Sequence, residues 1–427
     1  MRCSILGFTL LVRLSCATRA SISTPVVALA VSSFIRTAQA AYTLVDDHSG
    51  DSFFQNFEFF TQADPTNGHV KFSSMTEANT TGIAGFMDGG NATRAIYMGV
   101  DTTSQAPEGR GSVRVQSQKS YQHALVITDI VHMPGGVCGT WPAFWMVGDD
   151  WPTNGEIDIV EGVNDQTSNQ MTLHTDAGAV INKPTSSKSR AAQVFTGSIL
   201  TTNCDVNAPD QSKNAGCAIT DDSGLTFGTD FNAQGGGVVA TEWTSEFIKI
   251  WMFPRGRFPS DISSSQPNPS QNWGPPTSMF SGDFNMDDHF KNLKIVFDTT
   301  FCGDWAGNTW STSSCASLAP TCEEYVSNNP SAFKEAYWAI NTLQVFQDSG
   351  ASKDTDSSST QQKESAASNG KFIKNAAVTT HAEDRVLSEP DTDVERASGT
   401  GAESKWVHGP GGLQPRRRSG GAVLPKQ

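Results

Sequence analysis

The 427 residues carry a formal charge of −14, and because the first forty contribute four arginines and no acid, −18 is left for the remainder. That balance argues against nucleic acid or an anionic membrane surface as the main partner and leaves a neutral polymer admissible. Ten tryptophans and 37% hydrophobic residues supply ample material for one large core.

In chain order, residues 1–40 come first. They hold Arg2, Arg13, Arg19 and Arg36, the apolar runs ILGFTLLV and VVALAVSSFI, and Ala38-Gln39-Ala40 ahead of Ala41. This is the outline of a secretory signal peptide. Neither run reaches the ~18 residues needed to span a bilayer, and no later segment does. An exported, soluble protein without a membrane anchor, secreted to the medium or the cell wall, is therefore expected. Asn79 and Asn91 each open an Asn-x-Thr sequon, a candidate glycosylation site in such a chain. Past residue 40 the cysteines are Cys138, Cys204, Cys217, Cys302, Cys315 and Cys322. An even number with no Cys-x-x-Cys suits disulfides in an oxidising compartment, and no metal or cofactor is expected. The short spacing of Cys204 and Cys217 makes them the first expected pair; the other pairings stay open.

Residues 41–347 are predicted to form one all-β domain. Short alternating runs such as GSVRVQ, NQMTLHT, EFIKIWMF and NLKIVFD are separated by Gly, Pro, Asn and Asp, the rhythm of a sandwich of two antiparallel sheets. The segment 330–346, PSAFKEAYWAINTLQVF, is the best helix candidate. From 348 to 427 the composition turns to Ser, Thr, Asp and Lys, with Phe372 and Trp406 the only aromatics. So little apolar surface does not offset the entropy of ordering, and a disordered tail is expected.

The stretch 154–164, NGEIDIVEGVN, sets three carboxylates among β-branched residues. Glu156 and Asp158 share one face of a strand while Ile157 and Ile159 share the other. A regular strand would send Glu161 to the apolar face, where an unpaired charge costs several kcal/mol. One extra residue, a β-bulge at or near Val160, returns it to the side of Glu156 and Asp158. The acids follow GTWPAFWMVGDDW, whose Trp141, Trp145 and Trp151 are ring platforms suited to the apolar faces of sugars. Paired carboxylates beside such rings are the equipment of glycoside hydrolysis, one ionised to attack, the other protonated to assist the leaving oxygen. A third acid between them helps hold the proton in place.

With GTWPAFW before it and GVN after it, E-I-D-I-V-E closely resembles the catalytic signature of glycoside hydrolase family 16, in the bulged E-x-D-x-x-E form of fungal laminarinase-type endo-1,3(4)-β-glucanases. The resemblance runs from residue 42 to about 346 and includes YTLVDDHSGDSFF, GRGSVRVQS, IKIWMFPRG and FCGDWAGN. It implies a concanavalin A-like jelly roll with a concave cleft, Glu156 as nucleophile, Glu161 as acid/base, Asp158 as the assisting carboxylate and His174 as a supporting group. Parity agrees for His174, since Met171 and Leu173 share the opposite face. The resemblance also implies sugar-binding places for Trp251, with Ile248, Ile250 and Met252 turned to the core, and for Arg110. The implied partner is a β-glucan, handled by a monomer.

Three readings follow: an endo-acting, retaining β-glucanase; a glucan transglycosylase of the same family, against which the bulged motif counts; and a lectin-like sandwich, which would need no matched acid pair. Other hydrolase and nucleotide signatures, H-E-x-x-H, G-x-S-x-G and a phosphate loop, are missing.

Overall fold

Two eight-stranded sheets dominate the computed structural model, which describes residues 42–88, 94–182 and 194–348. The leader 1–40, the tail beyond 348 and the sequon asparagine Asn91 lie outside the described residues.

One sheet, the site sheet, runs in the order Ser198–Ile199, Cys217–Thr220, Gln170–His174, Glu156–Glu161, Thr140–Val147, Leu293–Phe301, Arg114–Tyr121, Phe57–Phe59. The other, the back sheet, runs Ser278–Phe280, Ile248–Pro254, Gly237–Trp243, Ala124–His132, Trp338–Asp348, Arg94–Met98, Ala84–Asp88, with Tyr42–Asp47 also paired to Trp338–Asp348. Pairing within both is antiparallel. No helix among the described residues is long and apolar enough to cross a membrane.

Period-two patterning explains the core between the sheets. Phe144 and Met146, Ile157, Met171 and Leu173, Ile295 and Phe297 point inward from the site sheet, and Val126, Val239, Ile248, Ile250, Leu343 and Val345 meet them from the back sheet. Phe297 stacks on Phe144 with ring centroids 4.4 Å apart and presents its edge to Trp338 of the back sheet at 5.5 Å. The indole of Trp338 then donates to the Asp298 carbonyl at 2.9 Å. The same contacts that bury these rings thus hold the strand carrying Asp298 in place.

The helix expected over 330–346 does not form. A 3-10 turn, Pro330–Phe333, is followed by the eleven-residue strand Trp338–Asp348. Its register shifts twice between Ala339 and Thr342. These irregularities place core residues at 340 and 343, three apart, and so imitate a helical period.

The cysteines pair as Cys138–Cys315, Cys204–Cys217 and Cys302–Cys322. Asn79 lies half-buried in the helix Met75–Thr81, which starts on a capping box from Ser74 and Glu77.

Candidate active site

The strand Glu156–Glu161 begins immediately after Gly155, whose φ of +78° suits glycine and whose missing Cβ would collide with the His289 carbonyl at 2.3 Å. Against Thr140–Val147 its register is Glu156↔Val147, Ile157↔Met146 and Asp158↔Trp145, then Val160↔Phe144 and Glu161↔Ala143. The shift between Asp158 and Val160 is a β-bulge. Ile157, Ile159 and Val160 all enter the core, while Glu156, Asp158 and Glu161 interact electrostatically with one another on the opposite face.

His174 stands opposite Glu156 in the next strand. Its Nε2 lies 3.2 Å from Asp158 Oδ2 and 4.0 Å from Glu156 Oε1. Gly216 packs against this ring; a Cβ there would sit 2.9 Å from His174 Nδ1. Glu156, Asp158 and His174 each offer one atom within 4.8 Å of the others, a spacing that a cation could also span.

The indoles before the acids divide by task. Trp141 Nε1 donates to Glu161 Oε1 at 2.8 Å, and the Trp305 ring meets Trp141 edge-on at 5.7 Å. Trp145, opposite Asp158, lies under the Arg114 guanidinium at 4.8 Å. Trp151 is 44% exposed and hydrogen-bonds to Glu156. An exposed indole fixed at one polar edge is a ready ring platform.

Crowding of buried acids decides the proton inventory. Burial first, then the charge of Asp158, pushes Glu156 up to about 8, against the opposing influence of His174, Arg114 and the Trp151 hydrogen bond. Burial raises Asp158 as well, with Asp298 adding to the rise and a hydrogen bond with Glu156 opposing it. Glu161 is raised well above the carboxylate range by burial and by Asp158, with only partial relief from Trp141 and His174. Glu156 has more neighbours that favour its charge than Glu161 has, so of the two it gives up its proton first. Between the two ionisations the face holds one charged carboxylate, Glu156, and one carboxylic acid, Glu161.

Two expected site residues are elsewhere. Arg110 is fully buried in a second hydrophobic cluster, with its guanidinium on the carbonyls of Val326, Asp101 at 2.7 Å and Ser104 at 3.2 Å, and over the Phe333 ring. It ties loops together. The arginine on the acid face is Arg114, four residues on, lying between Phe60 and Trp145. Trp251 belongs to the back sheet. Ile248, Ile250 and Met252 do enter the main core, but the far side of their strand is covered by Trp273 and Ile262, and Trp251 is 3% exposed with its Nε1 on the Gly274 carbonyl. Alternation gives the face of a strand but not the sheet it joins.

Three site residues were not anticipated. Asp298 neighbours both Ala143 and Arg114 in register, and burial raises it to about 7 against Arg114. Its signal was present, since Leu293, Ile295 and Phe297 leave it on the outer face. Trp305 arrives through the turn Gly303–Gly307, which no alternation marks. Asn169, fully buried, touches the bulge itself.

A family model described as the XgeA-like catalytic GH16 domain matches residues 57–346. The endo-1,3(4)-β-glucanase of Arthroderma benhamiae is 45% identical over 312 residues, covering 72% of this chain and 65% of that protein. A relative from Aspergillus niger is 42% identical over 349 residues, covering 80% of this chain and 44% of its own length. The chain thus spans about half to two thirds of these relatives. Among solved structures, laminarinase 16A from Phanerochaete chrysosporium with β-glucans in donor and acceptor sites is 40% identical, with a TM-score of 0.64 over 72% of this chain and all of that one. An elongating β-1,3-glucosyltransferase of GH family 16 is 42% identical, also with a TM-score of 0.64 over 72% of this chain and all of that one.

Proposed function

The chain belongs to glycoside hydrolase family 16, and we propose that it is an endo-acting β-glucanase cleaving 1,3- and mixed 1,3-1,4-linked chains by a retaining double displacement. The observation that carries this reading is the register shift between Asp158 and Val160, which sets Glu161 on the face of Glu156 and Asp158. Glu156 attacks the anomeric carbon as the glycosidic C–O bond breaks, and Glu161 delivers its proton to the departing oxygen. Glu161, now ionised, takes a proton from water, whose oxygen displaces Glu156 from the sugar. Asp158 and its partner His174 hold charge and proton between the two. Trp145 and Trp151 lie along the path of the sugar rings.

A transfer reaction uses the same glycosyl-enzyme, with a second sugar in place of water, and the similarity to a glucosyltransferase favours keeping this reading. The three disulfides, with the leader, support export.

Incubation with laminarin, lichenan and cellulose, followed by product sizing, tests the proposal. Shortened products from laminarin and lichenan are expected, and products longer than the starting oligosaccharide would assign transfer. Binding without cleavage would leave a lectin. Proton NMR of the first product should show the β-anomer; the α-anomer would overturn retention. Glu156→Gln should lose on the order of 10⁴-fold in turnover yet still bind oligosaccharide, because the amide keeps the shape but not the charge.

A further inference from the structure

We propose that Asn169 is a positioning residue for Glu161, acting by bracing the β-bulge that brings the acid onto the catalytic face; the inference rests on the acid/base role proposed for Glu161. The Gln170–His174 strand pairs with Glu156, Ile157 and Asp158 only. Beyond Asp158 the bulge turns the backbone out of register, and the amide of Glu161 and the carbonyl of Ile159 need other partners. The Asn169 side chain supplies both. Its Oδ1 accepts from the Glu161 amide at 2.8 Å, and its Nδ2 donates to the Ile159 carbonyl at 2.8 Å.

One planar amide therefore substitutes for a missing piece of ladder. The brace is itself anchored. Asn169 is 0% exposed, and its own carbonyl accepts from the Asp221 amide at 2.9 Å and the Thr220 hydroxyl at 3.3 Å. Glu156 and Asp158 are held by regular pairing on both sides, whereas Glu161 is paired on one side and braced by Asn169 on the other. Loss of Asn169 should thus displace Glu161 alone, relative to a nucleophile that stays in place.

This selective displacement has a kinetic signature. A sugar leaving group needs the proton of Glu161, while a dinitrophenolate departs without one. For Asn169→Ala, kcat/KM on a laminari-oligosaccharide should fall by ~10–100-fold, since misplacing a catalytic group by about 1 Å can cost that much, and on a dinitrophenyl β-laminaribioside by less than about threefold. Asn169→Ser, too short to bridge both groups, should give the same split and carries the test if the alanine variant does not fold. Equal losses on the two substrates, or no loss, would overturn the inference. Glu161→Ala is measured alongside. If it too fails to discriminate between leaving groups, the acid/base assignment falls; if it discriminates and the Asn169 variants do not, only the positioning role falls.

Discussion

Trp141 Nε1 stands 2.8 Å from Glu161 Oε1, so the carboxyl proposed as the proton donor is held by a ring edge on the neighbouring strand. That bond favours the ionised acid and opposes the burial that raises it. Trp141→Phe keeps most of the ring and removes the donor. The pKa of Glu161 should rise further, moving the alkaline limb of kcat/KM up by ~1 pH unit, as expected for a hydrogen bond to a charged group worth ~1.5 kcal/mol. A pH–rate profile with an unmoved alkaline limb would show that the bond does not tune the acid.

Trp151 presents a different balance, being 44% exposed while hydrogen-bonded to Glu156. Little core packing is at stake in Trp151→Ala, so the unfolding midpoint should stay within ~2 °C of wild type. Loss of a stacking surface worth ~1 kcal/mol should instead raise KM several-fold. Loss of the bond to Glu156 should also raise that carboxylate, moving the acidic limb of kcat/KM upward, because the nucleophilic role proposed for it needs its charge. A large drop in the midpoint with unchanged KM would make the indole a packing residue.

Strand alternation is enough to locate the bulge and the shared face of Glu156, Asp158 and Glu161, because burying any of those charges among Ile157, Ile159 and Val160 has a prohibitive cost. It reaches no further than the strand. Trp251 alternates correctly against Ile250 and Met252, yet its strand joins the back sheet, and sheet membership depends on contacts between residues distant in sequence. Arg110 and Arg114 are both flanked by small or β-branched residues, and only the fold separates a buried clamp from a group on the acid face. The segment 330–346 shows the reverse side of the same device. In Glu156–Glu161 the phase slip is betrayed by a charge, but in Trp338–Asp348 the apolar Ile340 and Leu343 straddle it and resemble a helix turn.

Asp158 links function to stability. Burial raises its folded pKa from 3.8 to about 8. Below pH 3.8 the group is protonated whether folded or not and costs nothing. As pH rises toward about 8, the unfolded chain releases the proton while the folded one holds it, so this group progressively destabilises the fold. Asp158→Asn removes that titration and leaves a similar shape. The variant should therefore gain on wild type progressively between about pH 4 and pH 8, seen as a difference in unfolding midpoint that widens as pH rises. Activity should move the other way. Without the charge of Asp158, both Glu156 and Glu161 titrate lower, so the acid loses its proton earlier and the alkaline limb of kcat/KM shifts down. Thermal unfolding and pH–rate profiles of the same preparation measure the two halves. A variant less stable than wild type at about pH 8, or an alkaline limb shifted upward, would show that the Asp158 charge does not set the proton inventory of this face.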